Sequence, residues 1–293
     1  MTDSTATAVI IHWGDVEPSL RVAAEVRPAF DDVLIIANDG ARAPDVLPEG
    51  VVWLSSSNVG YAGACSLAVR LRPNRTSYAF LNNDLYIASR TCSALLAELT
   101  ADVRLAVVGP RLLHADGRLQ SGAGRWSPVL CAPLVRNDGM GVQRCGWVTG
   151  AAFFCSGRAV RELGFDHAYF LGQEDADFCD RAGAAGWKVA LAADLTAVHD
   201  GRTTIAGPRW QYYSLRNWFW FVRRRRSKVR YALLVLWAAL FLIPRGIAAD
   251  LLKRRSLLHS RLAVHGLIDG MRPIPPAQRS WPDEPRPAKW MTW

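Results

Sequence analysis

Four short apolar runs mark the first part of the chain, at 8–12 (AVIIH), 33–37 (VLIIA), 51–54 (VVWL) and 78–81 (YAFL). Runs this short, rich in β-branched and aromatic residues and without polar alternation, read as strands buried on both faces. Amphipathic stretches at 20–26 and 63–71 lie between them and carry helical spacing. Strand, helix, strand, helix in this order predicts an α/β protein with a doubly wound, mostly parallel sheet flanked by helices. Ligands of such sheets sit beyond the carboxyl ends of the strands. Here three polar clusters, Asn38-Asp39-Gly40, Asn58-Val59-Gly60 and Asn82-Asn83-Asp84, each follow an apolar run and converge on that rim.

The pattern loosens from 107 to 147, where glycines and prolines predict loops and short strands. It tightens again into a buried strand at 149–155, a short helix at 158–163, a longer one at 175–185 and closing strands at 188–191 and 195–198. After Pro208 the composition turns aromatic, aliphatic and arginine-rich. The expected organisation is therefore a catalytic unit over 1–208, a basic apolar helical segment over 209–272 and a Pro/Trp-rich tail over 273–293.

Charge sharpens that boundary. The chain of 293 residues carries a net +9. Thirteen Lys/Arg face one acid, Asp250, between Arg209 and Arg261, so this segment holds more than the whole surplus. The remainder is mildly acidic, which argues against a nucleic-acid partner for the catalytic unit. Within the segment the uninterrupted apolar stretch 231–244 is shorter than the roughly 20 residues a membrane span needs. Arg223–Arg226 and the basic residues at 253–255 flank it, and Trp218, Trp220 and Trp237 suit an interface. The expectation is helices lying on an anionic membrane surface; a helical dimer interface giving a homo-oligomer, or a buried helical pair, accounts for the same letters. The start, MTDSTATAVII, has no basic stretch before an apolar run, which predicts a cytoplasmic protein, peripheral on the inner or plasma membrane. Six cysteines with no C-x-x-C pair predict reduced thiols.

Candidate chemistry lies in two places. In FLNNDLYI, 80–87, a strand delivers Asn82, Asn83 and Asp84 at its tip, where a carboxylate can hold a hard divalent cation that also grips a substrate diphosphate. A plain Asn/Asp turn gives the same letters. In YFLGQEDADFCDRA, 169–182, Glu174, Asp175 and Asp177 open a helix. Carboxylates there complement the helix dipole, but three in four positions exceed a cap's need, and clustering raises a pKa toward that of a general base. His199 ends a strand in LTAVHDG. A lone histidine is as well explained by structure; the three sites gain meaning together.

Together they resemble the family 2 glycosyltransferases, inverting enzymes of GT-A fold, and especially their rhamnosyltransferase-like and galactofuranosyltransferase-like bacterial branches, over about 9–217. IIANDGA, 35–41, resembles the nucleotide-binding strand end and implies donor contacts at Asn38 and Asp39. NVGYAGACSLAV, 58–69, is similar to the Gly-rich turn beside the donor and implies Asn58, Gly60 and Gly63. NNDLYI matches the metal-binding motif, with Asn82 and Asn83 toward the donor and Asp84 toward the metal, which His199 completes. WVTGAAFFC, 147–155, resembles the acceptor-side strand and implies Trp147, Thr149 and Gly150, while Asp175 matches the catalytic base, with Glu174 and Asp177 in support.

The resemblance implies a divalent metal, Mg²⁺ or Mn²⁺, a nucleotide-diphosphate sugar (dTDP- or UDP-linked, rhamnose-like) and a glycan or lipid-linked acceptor. Two departures fall in the donor pocket: HWGD, 12–15, replaces a Thr-Tyr-Asn type turn, and Cys65-Ser66 replaces asparagines. Sugar nucleotidyl transfer or nucleotide-sugar hydrolysis shares the carboxylates and metal, but the N-terminal half has no Gly-rich, Lys/Arg-bearing phosphate loop. A scaffold on an inactive transferase fold would have no need of Asp84, Asp175 and His199 together.

Overall fold

A computed structural model describes residues 5–136, 139–201, 208–254 and 257–274. From position 275 onward the expected tail lies outside the described residues.

The apolar runs form β1 (Ala6–His12), β2 (Asp32–Ala37), β3 (Val51–Ser55) and β4 (Ser77–Asn82). These four are mutually parallel, in the order β4-β1-β2-β3. Their helices are α1 (Val16–Val26), α2 (Gly60–Leu71) and α3 (Ser89–Ala101), the last behind the two-residue strand β5 (Leu85–Tyr86). Period-2 alternation splits each strand between two cores. Val9, Ile11, Leu34, Ile36 and Phe80 face one, while Ala8, Ile10, Val33, Ile35 and Leu81 face the other.

The glycine- and proline-rich stretch adds β6 (Leu105–Leu113), β7 (Leu119–Ser121), β8 (Ala123–Trp126), β9 (Pro133–Arg136) and β10 (Val142–Arg144). Then come β11 (Ala152–Ser156), α4 (Gly157–Leu163), α5 (Glu174–Ala184) and β12 (Lys188–His199). Strand β11 runs antiparallel between β4 and β6, and β12 returns parallel to β6, extending the sheet to β10-β12-β6-β11-β4-β1-β2-β3. The result is a mixed α/β sheet, helix-covered on both faces and parallel over its N-terminal half.

The two closing strands expected at 188–191 and 195–198 are one strand. Its ladder to β6 jumps from Ala192–Pro110 to Thr196–Arg111, so 193–195 form an irregularity inside β12. Asp194 leaves the ladder there and accepts the Gly141 amide at 2.8 Å.

The C-terminal segment is helical. It holds α6 (Pro208–Arg225), α7 (Lys228–Trp237), a π-helical stretch Ala238–Leu242, α8 (Ile243–Ala249), a second π stretch Asp250–Arg254, and α9 (Leu258–Gly270). Helix α6 packs on the α/β body: Phe219, Trp220, Phe221 and Leu215 bury with Tyr169 and Cys131 in one core.

Candidate functional site

The carboxyl ends of β1, β2 and β4 open into a cleft of about 610 Å³. On its donor side, Asn38 caps β2 and is nearly buried. Its Oδ1 accepts the Val59 amide at 3.0 Å, while Asn58 Oδ1 accepts the Gly60 amide at 3.0 Å, so the β2 tip and the entry of α2 are tied into one wall. Gly60 has φ +73°, and a Cβ there would stand 2.4 Å from the Phe170 carbonyl oxygen, so only glycine fits. The same carbonyl accepts the Tyr61 amide at 2.7 Å, drawing the loop before α5 against the start of α2.

Two expected donor residues stand outside the cleft. Asp39 spends Oδ2 on the Gly14 amide at 2.9 Å and Oδ1 on the Ala41 amide at 3.0 Å, so it fixes loops behind the wall. Gly63 lies within α2, where a Cβ would meet Val59 at 2.8 Å; it serves helix packing.

At the end of β4, Asn82 and Asn83 line the cleft and Asp84 lies just beneath them, nearly buried. Asp84 Oδ1 stands 3.0 Å from His199 Nε2, and its Oδ2 accepts the Gly201 amide at 3.1 Å. Strand pairing of β12 with β5 puts His199 opposite Leu85, which is how residues 115 apart in sequence become neighbours. His199 Nδ1 lies 2.8 Å from Gln120 Oε1, an atom that only accepts, so Nδ1 carries a hydrogen, and Nε2 is the ring atom turned to Asp84 and Asn82.

The pair fits a divalent cation. Two adjacent ligands of an octahedral ion at about 2.1 Å stand about 3 Å apart, the separation seen here. Among the described residues no third His, Cys, Asp or Glu joins the group. Such a site leaves most of the coordination sphere to phosphate oxygens and water, as Mg²⁺ prefers.

Across the cleft from Asn38 and Gly60, the expected acceptor residues Trp147, Thr149 and Gly150 all lie in its lining. Asp175, in the first turn of α5, accepts the Gly150 amide on Oδ2 at 2.6 Å and the Ala176 amide on Oδ1 at 2.7 Å. Burial pushes its pKa up, and the Gly150 N–H, which favours the ionised form, partly offsets this. Glu174 is pushed up further, chiefly by burial and then by the charge of Asp175.

Asp177 points the other way. It is fully buried and receives the Tyr169 hydroxyl at 3.0 Å, Arg181 Nε at 2.7 Å and Arg225 Nε at 2.8 Å. Its carboxylate locks α5 to α6 outside the cleft lining, which corrects the expectation of a supporting catalytic role.

Several site residues escaped the sequence reading. Gln120 orients His199, and the Tyr61 hydroxyl donates to the Gly150 carbonyl at 2.6 Å. Trp210 and Ser214 of α6 line the cleft as well. Below it, Arg216 and Asn217, both fully buried, hold the turn 168–172 by its carbonyls: Arg216 donates to Ala168 and Tyr169, Asn217 to Tyr169, Leu171 and Gly172. That turn carries Phe170 at φ +59° and leads into Gln173 at φ +71°, conformations rare for side-chain-bearing residues. A buried Arg-Asn pair inside the apolar run LRNWFWF was the available signal.

No family model and no curated protein sequence matches the chain. Solved structures do. GalNAc-T7 with UDP, GalNAc and Mn²⁺ superposes with a TM-score of 0.56 at 15% identity, covering 75% of this chain and 47% of that one. A mannosyltransferase from Pyrobaculum calidifontis, in complex with GDP-Man and Mn²⁺, gives 0.52 at 12% identity over 90% of this chain and 86% of that one. S. aureus TarS, residues 1–349, gives 0.53 at 12% over 91% and 80%. The fold is GT-A. This chain spans about half the length of the GalNAc-T7 chain. In this GT-A fold the cleft described above lies at the carboxyl edge of the parallel half-sheet, and α6 closes one of its sides.

Proposed function

We propose that the protein is an inverting glycosyltransferase that moves a sugar from a nucleotide-diphosphate donor to a hydroxyl of a glycan or lipid-linked acceptor. The observation that carries this reading is one cleft lined by a donor wall at Asn38, Asn58 and Gly60, by His199 with Asp84 just beneath, and by a raised-pKa carboxylate, Asp175, facing Trp147, Thr149 and Gly150. The GT-A fold and neighbours solved with UDP or GDP-Man and Mn²⁺ support it.

Asp84 and His199 would hold the divalent metal, Mg²⁺ or Mn²⁺, whose bound charge supplies Lewis-acid stabilisation of the diphosphate leaving group. Asn82 and Gln120 keep the imidazole turned to that position. Asp175 takes the proton of the acceptor hydroxyl as its oxygen attacks the anomeric carbon; the bond to the diphosphate breaks on the opposite face, and configuration inverts. The Gly150 amide fixes the carboxylate's direction. A dTDP- or UDP-linked deoxyhexose of the rhamnose type is the donor favoured by the motif resemblance, with a bacterial envelope glycan as setting.

The test is nucleoside-diphosphate release from a panel of dTDP-, UDP- and GDP-sugars with Mg²⁺ or Mn²⁺, followed by NMR of the anomeric configuration in the product. Release from none of them, or a product of retained configuration, overturns the reading.

A further inference from the structure

The C-terminal helices present a surface whose partner is legible from its chemistry. The stretch Lys228–Lys253 is one continuous helix of 26 residues whose most apolar 18-residue window has mean hydropathy 2.0, and only 11% of that window is buried. By length alone it would cross a membrane, since 26 residues rise about 39 Å and a hydrocarbon core is about 30 Å thick.

Its two ends forbid a crossing. The first end follows α6, where Arg225 and Arg226 grip Asp177 and Asp180 of α5 at 2.8 and 2.6 Å. The second end returns to the same body: buried Asp250 accepts both the amide and the hydroxyl of Ser260, in α9, at 2.7 Å. Helix α9 lies parallel to α6 in near-backbone contact, since a Cβ on Gly266 would stand 2.6 Å from the Tyr212 carbonyl oxygen and one on Gly270 2.5 Å from that of Arg216. Leu234 and Ala238 bury against Phe219, Val222, Ala263 and Leu267 of these two helices. Spanning would drag α6, and with it the cleft wall at Trp210, into hydrocarbon.

The outward face is apolar along its whole length. Val229, Leu233, Leu236, Leu240, Ile247 and Leu251 are exposed at spacings that place them on one stripe, opposite the buried Leu234 and Ala238. Charge around the stripe is of one sign. Arg224, Arg225 and Arg226 are consumed by Asp166, Asp177 and Asp180, which corrects the count of arginines available to a membrane. Arg223, Lys228, Arg230, Arg245 and Lys253 stand exposed, and the segment's one acid, Asp250, is buried. A second copy seated on this stripe would set bases against bases.

We propose that α7 and α8 dock flat in the interface of an anionic bilayer, the apolar stripe in the acyl boundary and the five basic residues among the headgroups. This deepens the glycosyltransferase reading by fixing where a lipid-linked acceptor would be met, but the docking does not depend on catalysis.

The full chain is sedimented with phosphatidylcholine vesicles and with vesicles containing about one third phosphatidylglycerol, at low and high salt. Donor hydrolysis without vesicles is measured in parallel. Salt-sensitive binding to the anionic vesicles is expected. Leu236→Asp/Leu240→Asp should weaken it at least about tenfold, and Lys228→Glu/Arg230→Glu should remove the lipid preference, both with donor hydrolysis unchanged. Equal or absent binding to the two vesicle types overturns the proposal. So does retention after an alkaline carbonate wash, which marks a spanning helix, or a dimer that Leu236→Asp/Leu240→Asp dissociates without lipid. Absent donor hydrolysis beside intact vesicle binding counts against the catalytic reading alone.

Discussion

Arg216 donates from Nε to Oδ1 of Asn217 at 2.8 Å, deep beneath the cleft. With its oxygen engaged, the Asn217 amide can turn only its NH₂ to the catalytic turn, where it meets the carbonyls of Tyr169, Leu171 and Gly172 at 3.0, 2.8 and 2.6 Å. Three residues after Gly172 stands Asp175, so the pair holds the approach to that carboxylate from behind.

Asn217→Ala strips that turn of its donor and leaves buried carbonyls unsatisfied, at a cost of about 2–4 kcal/mol. Urea unfolding should show the loss. Turnover of folded protein should show more: kcat falls with KM for the donor little changed. A variant that is destabilised but turns over normally would remove Asn217 from any positioning role.

Asp175→Asn should lower kcat by on the order of 10²–10⁴-fold while donor binding persists. Because burial raises the pKa of Asp175, wild-type activity should climb with pH across a range above that of an ordinary aspartate, as the carboxyl loses its proton. The asparagine variant should lack that limb. A rate profile with the same acid limb in both proteins assigns the base elsewhere.

Gln120 lies at the cleft edge and holds His199 through Nδ1 at 2.8 Å. Gln120→Ala frees the imidazole to rotate or to shift its tautomer, and such losses behind a metal ligand typically cost about 10–100-fold in metal affinity. Titrating Mn²⁺ against donor turnover should show the half-saturating concentration rise by that factor, with the rate at saturating metal largely kept. Asp84→Ala, by contrast, should not be rescued by any metal concentration.

Burial, and then the charge of Asp175, push the pKa of Glu174 well above the ordinary glutamate range. Its folded pKa lies above its unfolded one, so the stability it contributes is full below the ordinary glutamate range and is lost as pH rises toward the folded value. Glu174→Gln keeps the shape without the proton to lose. Its Tm should exceed that of wild type at pH near 8 and converge with it near pH 4. Equal Tm at both would place the raised pKa in doubt.

Much of this was legible in the letters because the parallel half-sheet is built from residues whose hydrophobicity alone decides their burial. Ile35 and Phe80 leave no choice of environment, and the polar residues directly after them then fall on one rim. Asp84, His199 and Asp175 follow by the same reasoning. Asp39 and Asp177 misled because a carboxylate beside a site reads the same whether it faces substrate or backbone. Only three-dimensional partners, the Gly14 amide for one and Arg225 for the other, separate the two. Helix α6 was misread for a related reason. Its tryptophans and arginines suit a membrane interface in sequence, yet Phe219 and Phe221 bury in the α/β body, and Arg224, Arg225 and the following Arg226 meet aspartates.

The irregularity in β12 has its own consequence. Up to Ala193 the odd-numbered residues of that strand, Val189 and Leu191 among them, face one core; past it Leu195 and Ala197 face the other. The three extra residues have switched parity, and His199, two beyond Ala197, inherits the switch. Removing all three residues, 193–195, would restore a straight ladder with Ala192 beside Thr196, and His199 would keep its present side, because Ala197 would still pair with Leu112. The spacer is an insertion the sheet absorbs without moving His199 from its face, which leaves its residues for other contacts, as Asp194 makes with the Gly141 amide.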